Sequence, residues 1–375
     1  MTKRSRPADP ARITPSGPTV RASETGTQRF AARWRDHFVA DFYRAGQISL
    51  TVSSIALGTY LGESDDATDA QYAEALRTGL ANGINMIDTA INYRCQRSER
   101  VIGRVLQELI SDGAIRREQI AIGTKAGYVP LDGAPPQSRE EYEAYLKREY
   151  FDPGILRPSD LVGGGHAITP EFLTDQLQRS LRNLGVQGVD YFYIHNPEQQ
   201  LPVIGPNELA NRLRVAFETL ESYVARGVIG AYGCATWTGL RLPAGAQGHL
   251  SLFELAALAR EVAGDDHHFR VVQLPINLTM SEAVRVSTQR DPKGRLVHVI
   301  DAAAQLGIDI VVSAPLLQGQ LTHDLPEQVR ELFAGATDAQ RALSFVRTLP
   351  AVLSAAVGMR SAEHVMENLA AVRVA

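Results

Sequence analysis

Residues 169–195 read TPEFLTDQLQRSLRNLGVQGVDYFYIH, and this stretch contains one complete helix–strand unit. Thr169-Pro170 is typical of a helix start, apolar residues then recur at three- and four-residue spacing, and Gly185 stands where the helix should end. The run 189–195 is apolar at almost every position, which is typical of a parallel strand covered on both faces. The stretch therefore predicts a helix that packs on a buried strand.

The same alternation recurs along almost the whole chain after residue 48. Eight strands are predicted, at 55–59, 84–88, 120–124, 189–195, 229–233, 270–274, 308–312 and 352–357. A helix is predicted after each strand, at 67–82, 98–111, 170–184, 208–226, 252–263, 296–306, 339–348 and 361–372. Eight such units close naturally into a (β/α)8 TIM barrel, an α/β fold. An open doubly wound sheet is the alternative, but the first strand lacks the glycine-rich dinucleotide fingerprint of that fold.

Two features precede the barrel. Residues 1–40 contain eight Lys and Arg against three Asp and Glu, a net charge of +5. The whole chain carries a net charge of −4, so the remaining residues carry −9. Because large apolar residues are scarce there, we expect a disordered or loosely ordered basic N-terminal extension over 1–40 and a single barrel domain over 41–375. A passive tail, an electrostatic tether and a transit peptide all fit this arm. Residues 42–52 predict a short β-hairpin that closes the barrel bottom.

The composition argues against several classes of protein. No apolar stretch reaches the roughly 18 uncharged residues of a membrane span. The acidic body has no basic and aromatic stripe, so specific nucleic-acid binding is not expected. Cys95 and Cys234 lack zinc-type spacing and fit a reducing compartment, which predicts a cytoplasmic protein without a structural metal. The sequence leaves the oligomeric state open.

One connection is unusually long. Residues 128–167 lie where a strand-to-helix loop normally needs about two to six residues, and such an excess is usually functional. Its middle, 138–150, predicts a helix. The triplet Gly163-Gly164-Gly165 is interpreted as a hinge or a flexible spacer.

Polar side chains stand at the ends of three consecutive predicted strands, where the active site of a TIM barrel lies. Asp88, Lys125 and His195 close the second, third and fourth strands, and Tyr93 follows on the loop after Asp88. Each alone has a structural explanation, as a turn cap, a surface charge, a packed histidine or a rim aromatic. Together they predict one catalytic cluster.

This set of residues suits proton donation to a carbonyl that accepts a hydride. A phenol, with a pKa of about 10, is a poor donor near neutrality unless a nearby cation lowers that pKa. We expect Lys125 to supply the cation, Asp88 to keep Lys125 charged, and His195 to orient the carbonyl and stabilise the developing alkoxide. Metal-dependent hydrolysis through Asp88 and His195 is a rival hypothesis that predicts a bound metal ion.

From about residue 43 to 372 the sequence resembles the aldo-keto reductase family. The matching segments are Gly58-Thr59, Asp88-Thr89-Ala90 with Tyr93, Ser98-Glu99-Arg100-Val101-Ile102-Gly103, Thr124-Lys125, His195, Gly227-Val228-Ile229-Gly230, Gln273, Ala314-Pro315-Leu316 and Gly358-Met359-Arg360-Ser361. The resemblance implies a (β/α)8 barrel that binds NADPH in an extended form. It further implies reduction of a small-molecule carbonyl to an alcohol, with Tyr93 as the general acid.

The resemblance also implies a set of cofactor-binding positions. They are Gln273, Ala235, Thr236, Ser313, Pro315, Leu316, Arg360, Glu367 and Asn368. Arg360 is a partner for a 2′-phosphate, which favours NADPH over NADH. The family commonly has Ser-Asn at the place of Ala235 and Thr236 and an aromatic residue at the place of Ser313, for which Trp237 is a candidate substitute. These departures leave a second hypothesis open, a catalytically weak cofactor-binding or regulatory protein.

Overall fold

The structure is a computed structural model that describes residues 20–374. Its centre is a closed barrel of eight parallel strands, in which neighbours in sequence are also neighbours in space. The barrel strands are β3 (Ile55–Gly58), β4 (Met86–Asp88), β5 (Ala121–Ala126), β6 (Val189–His195), β7 (Ile229–Ala235), β8 (Phe269–Pro275), β11 (Asp309–Ser313) and β12 (Val352–Gly358). The predicted (β/α)8 barrel is confirmed.

Helices follow the strands and cover the barrel. The α-helices are α1 (Glu24–Trp34), α2 (Asp66–Ala81), α3 (Arg97–Ser111), α4 (Arg139–Leu146), α5 (Pro170–Leu184), α6 (Leu201–Ala225), α7 (Leu252–Ala263), α8 (Glu282–Arg285), α9 (Val299–Leu306), α10 (Glu327–Leu332), α11 (Asp338–Arg347) and α12 (Ala362–Ala370). The predicted helix over 296–306 begins later than expected. Its first residues instead form β10 (Leu296–Val297), which pairs with β9 (Gln289–Arg290).

Alternation along the strands decides which side chains reach the barrel mouth. In β6, Phe192 and Ile194 belong to the core between barrel and helices, whereas Tyr191 and Tyr193 fill the barrel interior. Because successive strand residues face opposite sides, His195 shares the inward face of the two tyrosines. The pattern of β6 therefore aims its last residue at the C-terminal mouth.

The barrel bottom is closed by the predicted hairpin, formed by β1 (Tyr43–Ala45) and β2 (Thr51–Ser53). Its turn contacts the start of a barrel strand, where the backbone N–H of Gln47 donates to Oδ2 of Asp309 at 2.7 Å. The main chain of Ser53 donates to Oδ1 of Asn85 at 2.8 Å. These contacts hold the hairpin at the end of the barrel opposite the C-terminal ends of its strands.

The expectation of a loosely ordered extension over 1–40 is wrong for its second half. Residues 24–34 form the helix α1, which is capped by the Ser23 side chain. Phe30 and Ala31 are buried on one face of that helix, and the hydroxyl of Thr27 accepts a hydrogen bond from the main chain of Thr51 in the hairpin. A few apolar residues at helical spacing are thus enough to dock the segment. Residues 1–19 of the predicted extension lie outside the described residues.

The long insert over 128–167 contains the predicted helix, as α4, and packs around a small core of its own. Val162 and His166 pair through two main-chain hydrogen bonds, at 2.8 and 3.0 Å, and the three glycines make the turn between them. Gly163 and Gly164 have positive φ of 58° and 77°, which an L side chain adopts only with strain. The triplet therefore forms a tight turn, and its role as a hinge or spacer stays a prediction.

Candidate active site

A cavity of about 530 Å3 opens at the C-terminal ends of the barrel strands. Of the site residues predicted from the sequence, all but Lys125 line this cavity, namely Asp88, Tyr93, His195, Gln273, Ala235, Thr236, Ser313, Pro315, Leu316, Arg360, Glu367 and Asn368. Lys125 is fully buried directly behind the wall. Residues far apart in the sequence are thus brought to one mouth.

Lys125 and Asp88 form a buried ion pair at the ends of β5 and β4. The Lys125 ammonium donates to Oδ2 of Asp88 at 2.7 Å and to the carbonyl of Thr89 at 2.8 Å. The other carboxylate oxygen accepts from Nε2 of Gln273 at 2.8 Å. Burial lowers the pKa of Lys125, while the charge of Asp88 opposes that change. The Asp88 carboxylate thus connects Lys125, a predicted catalytic residue, to Gln273, a predicted cofactor-binding residue.

Tyr93 lies over this pair, on the cavity side. The Lys125 ammonium is 5.0 Å from the centroid of the Tyr93 ring, and the His195 ring is 5.9 Å from it in an edge-on arrangement. Tyr60, on the loop after the neighbouring strand β3, packs edge-on against Tyr93 at 5.0 Å. The predicted phenol, ammonium, carboxylate and imidazole therefore do converge. Within residues 20–374, no hydrogen bond joins the Tyr93 hydroxyl to Lys125.

The loop that carries Tyr93 is held by an unusual turn. The next three residues, Arg94, Cys95 and Gln96, all have positive φ, of 48°, 53° and 68°. The buried Arg94 guanidinium fixes this turn by donating to the carbonyl of Glu63 at 2.7 Å and to Oδ1 of Asp69 at 2.6 Å. Strained backbone of this kind persists only where surrounding contacts enforce it. The contacts of Arg94 thus fix the position of the tyrosine loop.

The pKa of one site residue differs from the value that the sequence predicts. The pKa of Tyr93 is raised well above its usual value, first by burial and then by the charge of Asp88. The expected net lowering of this pKa is not found, because burial and the Asp88 charge outweigh the nearby ammonium of Lys125, which is itself bound to that carboxylate. Burial, with the Lys125 charge nearby, also holds the pKa of His195 well below its usual value. Both the phenol and the imidazole are therefore neutral at neutral pH.

The register of the barrel places the remaining wall. His195 on β6 is level with Ala235 on β7, which is level with Gln273 on β8. The main chain of Thr236 continues this row by donating to the carbonyl of Gln273 at 2.8 Å. The Thr236 hydroxyl is buried without a hydrogen-bond partner among the described residues. A polar ligand in the cavity would satisfy it.

A cation stands where the cavity meets α12. Arg360 is exposed, lines the cavity and makes no ion pair within the part of the chain that the structure describes. The next residue, Ser361, caps the N-terminus of α12. A guanidinium beside the positive end of a helix dipole is suited to an anionic group such as a phosphate. The donors around the cavity thus fit a phosphorylated dinucleotide, with amide and hydroxyl groups at one part and a cation at another.

Comparison with known proteins gives the family. The model of the Aldo/keto reductase family matches residues 54–375, most of the chain. The chain belongs to the aldo/keto reductase family. It is therefore placed among the oxidoreductases, as the polar cluster at the strand ends predicted.

Relatives of this aldo/keto reductase are distant but cover most of its length. A putative voltage-gated potassium channel subunit beta of Schizosaccharomyces pombe is 23% identical over 340 residues, covering 87% of this chain and 86% of that protein. An aldo/keto reductase from Klebsiella pneumoniae, solved in complex with NADP and acetate, is 20% identical with a TM-score of 0.57, over 88% of this chain and 89% of the other. A holo-form aldo-keto reductase from Bacillus halodurans is 19% identical, also with a TM-score of 0.57, over 88% and 90%. The structural likenesses show the same fold.

Sequence reasoning missed several residues that line the cavity of this aldo/keto reductase. Tyr60, Asn92, Tyr128 and Asn196 all face it, together with Trp237, which the sequence suggested only as a substitute aromatic. They lie on loops after the strands, where periodicity carries no information about direction. Asn196 offered one local signal, since an asparagine directly after a strand often adopts the left-handed conformation found here, with φ 48°.

Two further features of residues 20–374 concern metal binding and the membrane. No group of three or more His, Cys, Asp and Glu side chains is arranged to hold a metal ion in this region. None of its helices combines the length and the apolar character that crossing a membrane requires.

Proposed function

We propose that this aldo/keto reductase uses NADPH to reduce a small, uncharged aldehyde or ketone to an alcohol, with Tyr93 as the general acid. The observation that carries the proposal is that Tyr93, His195 and the Asp88–Lys125 pair meet at one cavity, whose rim also carries Arg360. The NADP complex of the Klebsiella pneumoniae relative supports the choice of cofactor. Arg360 supports the phosphorylated form, as the partner of its 2′-phosphate.

The residues of the chain divide the work as follows. Bound NADPH supplies a hydride to the carbonyl carbon. Tyr93 donates its hydroxyl proton to the carbonyl oxygen, and the neutral imidazole of His195 hydrogen-bonds that oxygen as negative charge develops on it. An alkoxide is a far stronger base than a phenolate, so proton transfer is downhill even from a phenol with a raised pKa. Lys125 then stabilises the phenolate through its nearby charge, until solvent returns the proton.

Dinucleotide binding is assigned to the remaining predicted residues. Gln273, with Thr236, would hold the carboxamide end, and Ala235, Ser313, Pro315 and Leu316 would form the wall beside it. Arg360 would pair with the 2′-phosphate, while Glu367 and Asn368 on α12 would contact the adenine. Within residues 20–374 the Thr236 hydroxyl has no hydrogen-bond partner and the Arg360 guanidinium has no ion-pair partner, and both observations support this assignment.

The part of the cavity around Tyr93 favours an uncharged substrate. Its walls are Tyr60, Asn92, Tyr128, Asn196 and Trp237, none of which carries a charge. Neutral His195 adds none. A carboxylate next to the reacting carbonyl would lose its hydration there without gaining a cation, which is costly.

The test mixes purified protein and NADPH with a panel of aldehydes and ketones and follows the loss of nicotinamide absorbance. Alcohol formation at the same rate as NADPH oxidation is expected. The same protein is titrated with NADPH by fluorescence quenching. Binding without reduction of any carbonyl would contradict the catalytic proposal.

A second candidate is a cofactor-binding regulatory subunit with negligible turnover. It is favoured by the likeness to a putative potassium channel subunit beta over most of both chains. The departures at Ala235, Thr236 and Ser313 also fit weakened turnover. Tight NADPH binding with no reduction in the panel would support this candidate instead.

A further inference from the structure

The insert between β5 and α5 contacts His195 through Tyr128 and His166, which lie at the two ends of the insert, and of these two His166 hydrogen-bonds the main chain. Its two ends pair with each other at Tyr128 and His166, and the insert packs around Tyr145, Tyr150 and Phe172. The Tyr145 hydroxyl donates to the carbonyl of Pro130 at 2.6 Å, which ties the helical part to the stem. The insert is therefore a packed unit, and a contact made by its stem is held in place.

The polar contact made by this stem is a hydrogen bond between His166 and the main chain of His195. Nε2 of His166 lies 2.6 Å from the His195 carbonyl oxygen, and Nδ1 lies 3.0 Å from Nε2 of Gln200. The imidazole of His166 is almost completely buried, and that burial lowers its pKa to about 4. His166 is therefore neutral at neutral pH and has one N–H to donate.

The neighbours of His166 decide which nitrogen carries that hydrogen. Nη1 of Arg212 donates to Oε1 of Gln200 at 3.2 Å, and because a guanidinium only donates, this fixes the orientation of the Gln200 amide. The amide nitrogen must then donate to Nδ1 of His166, so the proton resides on Nε2. Three hydrogen bonds consequently run in one direction, from Arg212 through Gln200 and His166 to the carbonyl of His195.

The chain geometry leaves the His195 carbonyl open for this bond. Asn196 turns the main chain into the left-handed conformation immediately after the strand, and its N–H donates to the Ala235 carbonyl at 2.6 Å. Gly127 permits the approach from the other side, because a Cβ there would lie 2.8 Å from the His195 carbonyl oxygen and 3.0 Å from Nε2 of His166. The left-handed Asn196 and the missing side chain at Gly127 thus both occur where His166 approaches the His195 carbonyl.

The ring of His195 has little else to orient it. Its Nδ1 atom is buried and has no hydrogen-bond partner among the described residues. The ring packs edge-on between Tyr93, at 5.9 Å, and Tyr128, at 5.0 Å, and Tyr128 also packs edge-on against His166 at 5.0 Å. Packing and the anchored main chain therefore set the direction in which the imidazole points.

We propose that His166 is a positioning residue for His195, acting through the main-chain carbonyl, and that Gln200 and Arg212 hold His166 in the donating tautomer. The proposal rests on the proposed function for its kinetic consequence, because an imidazole that must meet a developing alkoxide gains from being fixed beforehand. His166 itself does not line the cavity. The insert thus serves the active site as a support for the orientation of His195.

The kinetic test compares two substitutions at the same position. His166→Phe keeps a buried ring but removes the N–H, and we expect kcat to fall about 10- to 100-fold with NADPH affinity unchanged. His166→Gln places an amide N–H near the position of Nε2, and we expect it to restore most of kcat. Arg212→Leu, at the partly exposed start of the chain of bonds, should give a smaller loss in the same direction. A matched control is His268→Phe, since His268 binds Glu221 away from the cavity.

Nuclear magnetic resonance of protein with isotope-labelled histidine tests the same hydrogen bonds without the need for turnover. The His166 signals, identified by their loss in His166→Gln, should show a neutral ring protonated at Nε2. The His195 signals should move in His166→Phe and return in His166→Gln. If the wild type reduces no carbonyl, the proposed function fails, and these spectra still decide the positioning role.

Three results would overturn the proposal. The first is a His166→Phe variant with wild-type kcat and an unmoved His195 signal. The second is an equal loss in the Phe and Gln variants accompanied by weaker NADPH binding, which would show a merely structural role. The third is a His166 ring protonated at Nδ1.

Discussion

The ammonium nitrogen of Lys125 lies 2.7 Å from Oδ2 of Asp88, with both side chains shielded from solvent. Each charge satisfies the other, which explains how a lysine remains fully buried near the end of β5. The same pairing leaves the lysine 5.0 Å from the centre of the Tyr93 ring instead of bonded to its hydroxyl. Lys125 therefore acts on the tyrosine through space, as a fixed charge.

Removal of one charge of this pair should lower the free energy of unfolding more than removal of both charges. Lys125→Met leaves Asp88 buried and unpaired, so we expect the free energy of unfolding to fall by about 3–5 kcal/mol. Adding Asp88→Asn should recover part of that loss, because the amide oxygen still accepts the hydrogen bond from Gln273. Urea denaturation of both single variants and the double variant measures the coupling. Strictly additive losses would contradict it.

Tyr93→Phe should abolish most carbonyl reduction while preserving the protein. The ring that packs on His195 and Tyr60 remains, and only the proton donor is lost, so kcat should fall about 10²- to 10⁴-fold. NADPH affinity, measured by fluorescence titration, should stay unchanged. Tyr43→Phe is the control, since it deletes a hydroxyl bonded to Gly83 at the opposite end of the barrel. Full activity in Tyr93→Phe would exclude the proposed acid.

Arg360→Ala should discriminate between the two nicotinamide dinucleotides. The variant removes the cation that we assign to the 2′-phosphate, so the Kd for NADPH should rise about 10- to 100-fold. The Kd for NADH, which lacks that phosphate, should change little. Arg226→Ala removes an exposed arginine that does not line the cavity and serves as the control. Equal weakening of both dinucleotides would argue against the assignment.

The uncharged walls around Tyr93 predict selectivity against acids. Methyl benzoylformate and benzoylformate share one ketone and one ring but differ in charge beside the carbonyl. We expect kcat/KM for the ester to exceed that for the acid at least about 100-fold, because the carboxylate gains no cation in the site. Asn92→Lys, which adds a cation to this wall, should reduce the ratio of the two kcat/KM values. Comparable kcat/KM values for the ester and the acid in the wild type would contradict the proposed selectivity but not the proposed reaction.

The barrel bottom predicts a pH dependence of stability. Burial raises the pKa of Asp309 from 3.8 to about 6, although the main chain of Gln47 donates to it. Since the folded pKa lies above the unfolded one, the protonated carboxyl favours folding, and that stabilisation is lost as the pH rises through about 6. Above that pH the charged group costs on the order of 2–3 kcal/mol.

Asp309→Asn removes this cost and retains an acceptor for Gln47. Its melting temperature should exceed that of the wild type at pH 8 and match it near pH 4. Asp266→Asn, at an exposed loop position, supplies the control for the change in net charge. A constant difference across the pH range would show that ionisation of Asp309 is not the cause.

Local patterns in the sequence were sufficient for the barrel. Strand β6 and helix α5 lie where apolar spacing and Gly185 predicted them, because burial on both faces of a parallel strand leaves a continuous apolar run. The same logic placed Asp88 and His195 at strand ends and hence at one mouth. The docking of α1 escaped prediction because two buried apolar residues, Phe30 and Ala31, in a polar helix are a weak local signal.

Tertiary structure decided what the site residues can do. Only the closed barrel shows that the charge of Lys125 is engaged by Asp88 and that the pKa of Tyr93 rises, since both depend on burial and on neighbours remote in sequence. The contact of His166 with His195 arises the same way, from a stem that returns to the barrel after some forty residues. Periodicity records which face of an element is buried, whereas distances between side chains from different elements are set by how those elements pack.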